Sequence, residues 1–299
     1  MTGTLRTERV VQSNAARLVE YSLAHGPEHD ESYLPGRDFA LSPEFPAYLL
    51  WRDRALVGAV VLMRSPRYQT ARRGRFSVFH SIEPSREAYA ALLDAAQPHF
   101  EGFQAVYLFI PEDRCQVTSV LSGLGFRIER FSYVLENRET SPPPEVHFPD
   151  GYEVHPLVAS DVAGIAQFAR CLNESFSELA GHTDSTAQDI RAWFDHEHYL
   201  EGGICLLLHR EQPVGTLCVM REHETRAAAE VLAFGILGPQ RRKGLGRTLL
   251  RYARRFSRQQ GLHPVILSVN AENDRALGLY EGEGFRPIET TVCYALDCA

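Results

Sequence analysis

The residues best suited to chemistry form a short basic loop with two glycines, Arg241-Arg242-Lys243-Gly244-Leu245-Gly246-Arg247. Glycine allows the backbone to approach a ligand closely and to adopt a positive φ. The segment after the loop has apolar residues at helical spacing as far as Phe256, so the loop precedes a predicted helix. The unpaired first amides of a helix favour an anion such as phosphate, and the basic side chains add charge. The loop is also compatible with a plain strand-to-helix turn that carries surface arginines.

Two familiar classes of phosphate-binding protein do not fit this loop. It lacks the G-x-x-x-x-G-K-[ST] pattern of nucleotide triphosphatases, and it has no third glycine for the dinucleotide-binding pattern. A general nucleic-acid-binding role is disfavoured by the net charge of −7, because contacts with many phosphates require a basic face. Any anion site of this chain must therefore be local.

The elements that must position the loop alternate between strand and helix, and the pattern occurs twice. The second half predicts helices at 162–173 and 187–194, strands at 204–209, 214–220 and 230–237, a helix at 245–260, a strand at 265–269, a helix at 273–283 and a strand at 291–296. The first half predicts strands at 48–52 and 59–63 as a hairpin around 54–58, a strand at 76–82, a helix at 85–97, a strand at 106–110, a helix at 118–124 and a strand at 131–135. A repeat of half the chain length indicates two α/β units.

A proline-rich segment separates the two halves. Pro142, Pro143 and Pro144 are consecutive, and such a run lacks amide donors and favours extended polyproline geometry. We predict a first domain at 1–138, a linker at 139–149 and a second domain at 150–299. This division agrees with a length of 299 residues, at which a single core usually gives way to two domains.

The second half resembles the GNAT family, the coenzyme A-dependent N-acetyltransferases. Arg241, Gly244 and Gly246 match the family loop [QR]-x-x-G-x-[GA], and Asn273 to Tyr280 match N-x-x-A-x-x-x-Y, followed by Glu283-Gly284-Phe285. The match covers about 230–296, with a glycine at 238 where many members have proline. The resemblance implies an α/β fold with a mixed sheet: two tandem GNAT-like acyl-CoA N-acyltransferase units, of which the N-terminal one is degenerate.

The resemblance also implies acetyl-CoA as co-substrate and assigns residues to it. The loop amides of the family bind the pyrophosphate, and the preceding strand pairs with the pantetheine arm. The cofactor-binding residues implied in this way are Phe234, Gly235, Ile236, Arg241, Arg242, Lys243, Gly244, Leu245, Gly246, Arg247 and Asn273. Asn273 could equally cap its helix, and the glycine at 235 fits a bulge in an apolar strand.

Two residues are candidates for proton transfer. Glu230 lies eleven residues before Arg241, the offset at which histone acetyltransferases of the family hold a base glutamate. A base is needed because an alkylammonium has a pKa of about 10, so its deprotonation to the free amine at pH 7 costs about 4 kcal/mol. Tyr280 matches the family tyrosine that protonates the leaving thiolate. An exposed strand-end glutamate and a buried core tyrosine are the structural alternatives.

The first half lacks the equivalent loop. Ser81 to Arg86 stands where the loop is expected, has no glycine and would direct Glu83 toward a phosphate. We therefore expect this half to have a structural or substrate-shaping role.

The remaining expectations concern partners. Tandem units of this kind act on small amines, so we expect a small-molecule amine as acceptor. We expect no nucleic-acid partner, no membrane association and no metal. The protein is further expected to be a monomer or homodimer in the cytoplasm. The acceptor itself is not encoded in a pattern; its contacts should come from about 176–183 and 221–226. A non-catalytic acyl-CoA-binding scaffold and a nucleotide-binding regulator are the alternative classes, but neither explains why Glu230 and Tyr280 are both present.

Overall fold

The computed structural model describes residues 3–28, 33–36, 39–141, 145–179, 182–222 and 227–298. The chain forms two compact units, one made of Met1–Ser132 with Thr290–Ala299 and the other of Tyr133–Glu289. The domain boundaries near 138 and 150 stay a prediction, and the three consecutive prolines of the linker lie outside the described residues. No helix within the described ranges is both long and apolar enough to cross a membrane.

The first unit alternates strands and helices. In chain order they are β1 (Leu5–Arg9), α1 (Ala15–Ala24), β2 (Ala47–Arg52), β3 (Ala55–Met63), α2 (Pro66–Ala71), β4 (Arg73–Ser81), α3 (Arg86–Ala96), β5 (Ala105–Pro111) and α4 (Cys115–Gly123), and then β6 (Arg127–Asn137), which runs past the end of the unit. Strands β1 to β4 pair antiparallel in sequence order, and β4 then pairs parallel with β5.

The second unit repeats this order. Its elements are β7 (Tyr152–Pro156), α5 (Val162–Phe176), α6 (Ala187–Trp193), β8 (Ile204–His209), β9 (Gln212–Arg221), β10 (Ala229–Ile236), α7 (Leu245–Gln259), β11 (Val265–Asn270) and α8 (Asp274–Gly282), followed by β12 (Arg286–Asp297). Strands β7 to β10 are antiparallel neighbours, and β10 pairs parallel with β11. Residues 291–297 of β12 pair antiparallel with β5 of the first unit, to which they belong.

In both units the two neighbouring parallel strands stop pairing after a few residues, at equivalent positions. Parallel pairing of β4 with β5 is confined to three residue pairs that begin at Arg73 and Ala105, and that of β10 with β11 to three pairs that begin at Ala229 and Val265. The strand before the opening is bulged in each unit. This repeated geometry confirms the predicted tandem α/β architecture with mixed sheets.

Each sheet is covered by an apolar cluster on each face. In the second unit, Leu207 and Val219 pack with α7, whereas their strand neighbours Leu206 and Cys218 pack with α5 and α6. Successive strand residues point to opposite faces, which explains this alternation. Cys205 and Cys218 are both buried and take part in these clusters as small core residues.

The sequence predicted most elements of the second unit within three residues at each end, and it missed others. Strands β1 and β7 and helices α1 and α2 were not predicted. The hairpin turn expected at 54–58 was placed wrongly: Arg52 pairs with Ala55, so the turn is Asp53-Arg54. Asp53 adopts a φ of 54°, a conformation that aspartate tolerates better than most residues, and this makes a two-residue turn possible.

Candidate active site

The basic loop leads into α7 through an uncapped helix end. Gly244 is the N-cap, has a φ of 80°, and no side chain hydrogen bonds to the first amides at this end. A Cβ atom at Gly244 would meet no heavy atom within 4 Å, so the space in front of the helix is open. Arg242 also has a positive φ, of 65°. Open amides at the positive end of a 15-residue helix are suited to bind an anion.

The strand before the loop carries the bulge that sequence reasoning expected around Gly235. The register of β10 with β9 shifts between Leu232 and Gly235, and Ala233 has a φ of 47°. The hydroxyl of Thr216 donates to the carbonyl oxygen of Ala233 at 2.7 Å and holds the bulge. Pairing with β11 ends at Val231, so in the described register Phe234, Gly235 and Ile236 lie beyond the parallel ladder.

Gly235 is packed against the end of α5. A Cβ atom there would lie 2.7 Å from Cβ of Ser175 and 3.0 Å from the ring of Phe176. The predicted acceptor segment at 176–183 therefore begins directly beside the bulge, although residues 180–181 of this segment and 223–226 of the other lie outside the described part of the chain. Only glycine fits at this contact without displacement of α5.

The side chain of Arg241 braces the loop. Its Nε donates to the carbonyl oxygen of Ile236 at 2.9 Å, and its Nη2 donates to that of Ser175 at 2.8 Å. Its Nη1 pairs with the exposed carboxylate of Glu178 at 3.0 Å. In this arrangement Arg241 ties the end of β10 to the end of α5, and its guanidinium is occupied by these contacts.

The other predicted loop residues differ in exposure. Arg242, Lys243 and Arg247 are exposed, and Leu245 is buried in the apolar cluster under α7. Lys243 donates to Oε1 of Gln240 at 2.7 Å. Gly246 lies near α8, where a Cβ atom would be 3.4 Å from the side chain of Leu279. The exposed cations surround the open helix end and add positive charge to it.

Tyr280 in α8 is buried and close to the bulged strand. Its ring centroid lies 6.0 Å from the ring of Phe234 and 6.0 Å from that of Phe285. Burial raises the pKa of Tyr280 well above its usual value, so the phenol is protonated at neutral pH. Among the described residues its hydroxyl has no hydrogen-bond partner. A protonated phenol without an internal acceptor is suited to donate its proton to a bound group.

Glu230 lies on the other face of β10. Val231 belongs to the cluster with Tyr280, and strand alternation places Glu230 on the side of α5 and α6. Its side chain is half-buried and lies near Cys218. The pKa of the Cys218 thiol is raised mainly by burial, and to a smaller extent by the charges of Cys205 and Glu230. The structure brings Tyr280, Phe234 and the loop together, and it holds Glu230 on the opposite, acceptor-segment side of the strand.

Asn273 has a visible local role. It is the N-cap of α8, and its side chain accepts a hydrogen bond from the amide of Ala276 at 3.2 Å. A cap of this kind contributes about 1 kcal/mol to helix stability. The contact with the coenzyme arm that the resemblance implies stays a prediction.

Sequence reasoning treated Glu283 only as part of a short motif, and it missed the ion pairs. Its carboxylate is buried and pairs with Arg251 at 2.7 Å and with Arg247 at 3.1 Å. Both arginines lie on one face of α7, four residues apart. This spacing of two arginines was the available signal that α7 faces a carboxylate.

The corresponding helix end in the first unit is closed. Ser85 caps α3 by accepting from the amide of Ala88 at 3.2 Å. Glu83, in the loop before it, is paired with Arg52, whose Nε lies 3.0 and 2.9 Å from the two carboxylate oxygens. A capped helix with a carboxylate in its loop therefore lacks the open amides that α7 has at its N-terminus.

Comparison with known proteins agrees with this geometry. Residues 165–285 match the model of the acetyltransferase (GNAT) family. A mycothiol acetyltransferase of Nocardia farcinica is 28% identical over 200 residues, which are 62% of this chain and 63% of that protein. A mycothiol acetyltransferase of Paenarthrobacter aurescens is 29% identical over 165 residues, 52% of this chain and 49% of that protein. The chain thus spans about half of one relative's length and just under two thirds of the other's.

Two solved structures share the fold over nearly their whole length. A GCN5-related N-acetyltransferase of Sphaerobacter thermophilus superimposes with a TM-score of 0.69 at 19% identity, covering 98% of this chain and 96% of that one. A tandem GNAT protein from the clavulanic acid biosynthesis pathway superimposes with a TM-score of 0.68 at 13% identity, covering 99% of each chain. The chain therefore has a tandem GNAT fold, and residues 165–285 form a domain of the acetyltransferase (GNAT) family.

Proposed function

We propose that the second unit transfers an acetyl group from acetyl-CoA to a primary amine of a small molecule, by direct attack within a ternary complex. The observation that carries the proposal is the open, uncapped N-terminus of α7 at Gly244, directly after the bulged strand β10. A helix end of this kind binds the pyrophosphate of coenzyme A through the amides of 242–246. The GNAT family model over the same residues supports this assignment.

The bulged strand would receive the pantetheine arm and the thioester. Phe234, Gly235 and Ile236 follow the last pair that β10 makes with β11, so an extended ligand arm can run beside them. Attack by the amine creates an oxyanion, and backbone amides in a bulge are suitable donors for it. Because Ser175 and Phe176 lie against the bulge, the proposed acceptor-binding segment would lie next to the reacting carbonyl.

Protons would move on the two faces of β10. Glu230 takes the proton of the ammonium on the acceptor side, directly or through a water. Tyr280, on the other side, gives its proton to the departing thiolate, whose ordinary pKa is about 8.5. Its burial keeps the phenol protonated until a stronger base is formed beside it. Both curated relatives are named mycothiol acetyltransferases, and these names favour a small-molecule acceptor over a protein substrate.

A pair of matched glycine variants tests the proposal. Gly244→Asp places a carboxylate at the open N-terminus of α7, whereas Gly261→Asp places it just past the C-terminus of the same helix. Both glycines have a positive φ and nothing within 4 Å of a Cβ atom. Calorimetric titration with acetyl-CoA should give one site in the wild type and in Gly261→Asp, and binding at least about tenfold weaker in Gly244→Asp, because repulsion of about 1.4 kcal/mol already has that effect.

Thiol release from acetyl-CoA with a panel of small amines then tests the transfer. Equal affinity in the two variants would exclude the loop as the cofactor site. Acetyl-CoA binding without thiol release for any amine in the panel would favour the acyl-CoA-binding scaffold over the enzyme.

A further inference from the structure

Three side chains of the first unit, which we call the His–Glu–His cluster, bring metal-ligating atoms together: His25, Glu28 and His80. Nδ1 of His25 lies 2.8 Å from Oε1 of Glu28, and Nε2 of His80 lies 3.3 Å from Oε2 of the same carboxylate. The candidate ligand atoms of all three residues lie within 4.8 Å of one another. The two imidazole rings are stacked at 5.2 Å.

The cluster joins three parts of the first unit. His25 follows α1, Glu28 ends the 3₁₀ turn Gly26–Glu28, and His80 is the second-last residue of β4. His80 lies 52 positions from Glu28 in the sequence, which explains why no metal-binding motif was visible there. We propose that the His–Glu–His cluster binds a divalent transition-metal ion, with Zn²⁺ as the best match to two imidazoles and one carboxylate.

The spacing of the ligands fits such an ion. Zn²⁺ bonds to nitrogen and oxygen at about 2.0–2.2 Å, so two ligands of a tetrahedral ion are about 3.4 Å apart. The two measured separations, 2.8 and 3.3 Å, are slightly shorter than this value, and no pair of candidate ligand atoms is more than 4.8 Å apart. Small side-chain rotations would therefore bring the three atoms around one centre. Three protein ligands leave a fourth position, which water or an anionic ligand would take.

The ring of His80 also has the outer partner that metal-bound histidines use. Its Nδ1 lies 2.8 Å from the hydroxyl of Tyr21, and this hydroxyl lies 3.3 Å from the carbonyl oxygen of Val57. When Tyr21 donates to Val57, it accepts the Nδ1 proton of His80, and the lone pair of Nε2 is directed to Glu28. An outer hydrogen bond of this kind orients the ring and selects the tautomer that binds metal.

Access and charge are compatible with binding. The side chains of His25 and Glu28 are 26% and 35% exposed, so an ion can reach them, whereas His80 is buried. Nη1 of Arg114 lies 3.8 Å from Oε2 of Glu28, so this guanidinium, which is 37% exposed, would have to move away from the carboxylate when a cation binds. The site belongs to the first unit, so it is independent of the acetyl transfer proposed for the second.

Zinc titration of the chelator-treated full chain tests the proposal, with His25→Ala and Glu28→Gln as test variants. His99→Ala is the matched control, because His99 is also hydrogen-bonded to a tyrosine, Tyr48, at 2.8 Å in the same unit but has no place in the cluster. We expect one equivalent of Zn²⁺ to bind the wild type and the control and to raise their thermal midpoints. Binding should weaken more than about a hundredfold in each test variant, and about tenfold in Tyr21→Phe, which keeps all three ligands but loses the hydroxyl between His80 and Val57.

A cobalt spectrum adds a readout that folding alone would not change. Co²⁺ in a four-coordinate site with two imidazoles absorbs visible light, and this absorption should disappear in His25→Ala while the apo forms keep equal thermal midpoints. Failure of the wild type to bind zinc, or equal binding in the wild type and both test variants, would overturn the proposal. The cluster would then be an ion-pair network between histidines and Glu28.

Discussion

Arg251 donates two hydrogen bonds to the carboxylate of Glu283, from Nε at 2.7 Å and from Nη2 at 2.8 Å. The pair joins the middle of α7 to the end of α8, the two helices that carry the open helix end and the buried tyrosine. Arg254 adds a bond to the carbonyl oxygen of Glu283 at 3.3 Å. A bidentate pair of this kind fixes orientation as well as distance, so the relative position of loop and tyrosine depends on one carboxylate.

Replacing Glu283 should therefore destabilise the second unit. Glu283→Ala removes charge-assisted bonds from a carboxylate that is 4% exposed, and we expect a loss of about 2–3 kcal/mol in the free energy of unfolding. Urea unfolding measures it. The control is Glu281→Ala, which changes an exposed glutamate two residues earlier, in the last turn of α8. This substitution should change the free energy of unfolding by less than about 0.5 kcal/mol. Equal stability of both variants would show that water replaces the Glu283 carboxylate as the hydrogen-bond acceptor for Arg247 and Arg251.

Gly235→Ala should damage the site more than the fold. The new methyl group would lie 2.7 Å from Cβ of Ser175, so either the bulge or the end of α5 must move, at a cost of about 1–3 kcal/mol. We expect a higher KM for acetyl-CoA and a lower kcat, measured by thiol release. Gly238→Ala is the control, because a Cβ atom there meets nothing within 4 Å. Unchanged kinetics in Gly235→Ala would mean that the bulge does not contact the thioester.

Tyr280→Phe should separate chemistry from binding. The hydroxyl has no partner among the described residues, so its removal should leave the thermal midpoint and the affinity for acetyl-CoA almost unchanged. Loss of a general acid typically lowers kcat by about a hundredfold or more. Tyr252→Phe, which changes a half-buried tyrosine of the same unit, controls for the loss of a hydroxyl. A wild-type kcat in Tyr280→Phe would show that Tyr280 is only a core residue and not the general acid.

The features of this site that the sequence predicted are those formed by residues close together in the chain. The loop from Arg241 to Gly246 was found because its glycines, basic residues and following helix are neighbours in the chain. The bulge was anticipated from a single glycine in an apolar strand. Both are local features, and local patterns survive without knowledge of the tertiary structure.

The parts that were missed depend on distant contacts. The bracing of Arg241 by the carbonyl oxygen of Ser175 joins residues 66 positions apart, and His80 meets Glu28 across 52 positions. Strands β1 and β7 were missed because they are short and largely polar, and they form by pairing with a neighbour. Edge strands of this kind owe their structure to the sheet beside them, so propensity alone does not identify them.

The buried thiols predict a loss of stability at alkaline pH. Burial raises the pKa of Cys205 to about 12, although a hydrogen bond with Tyr252 opposes the shift. The unfolded chain loses this proton near the usual thiol pKa of about 8.5, whereas the folded chain keeps it. The stabilising effect is therefore complete below that pH and is lost as the pH rises toward 12, with a slope of up to about 1.4 kcal/mol per pH unit for each such group.

Cys205→Ala should make this slope shallower. Urea unfolding at a series of pH values from 7 to 11 gives the free energy of unfolding of each variant, and the difference between variant and wild type should narrow as the pH rises. Cys298→Ala removes a half-exposed thiol and should leave the slope nearly unchanged. If the two variants lose stability in parallel with the wild type up to pH 11, the Cys205 thiol ionises inside the folded protein, and its burial does not oppose the charge.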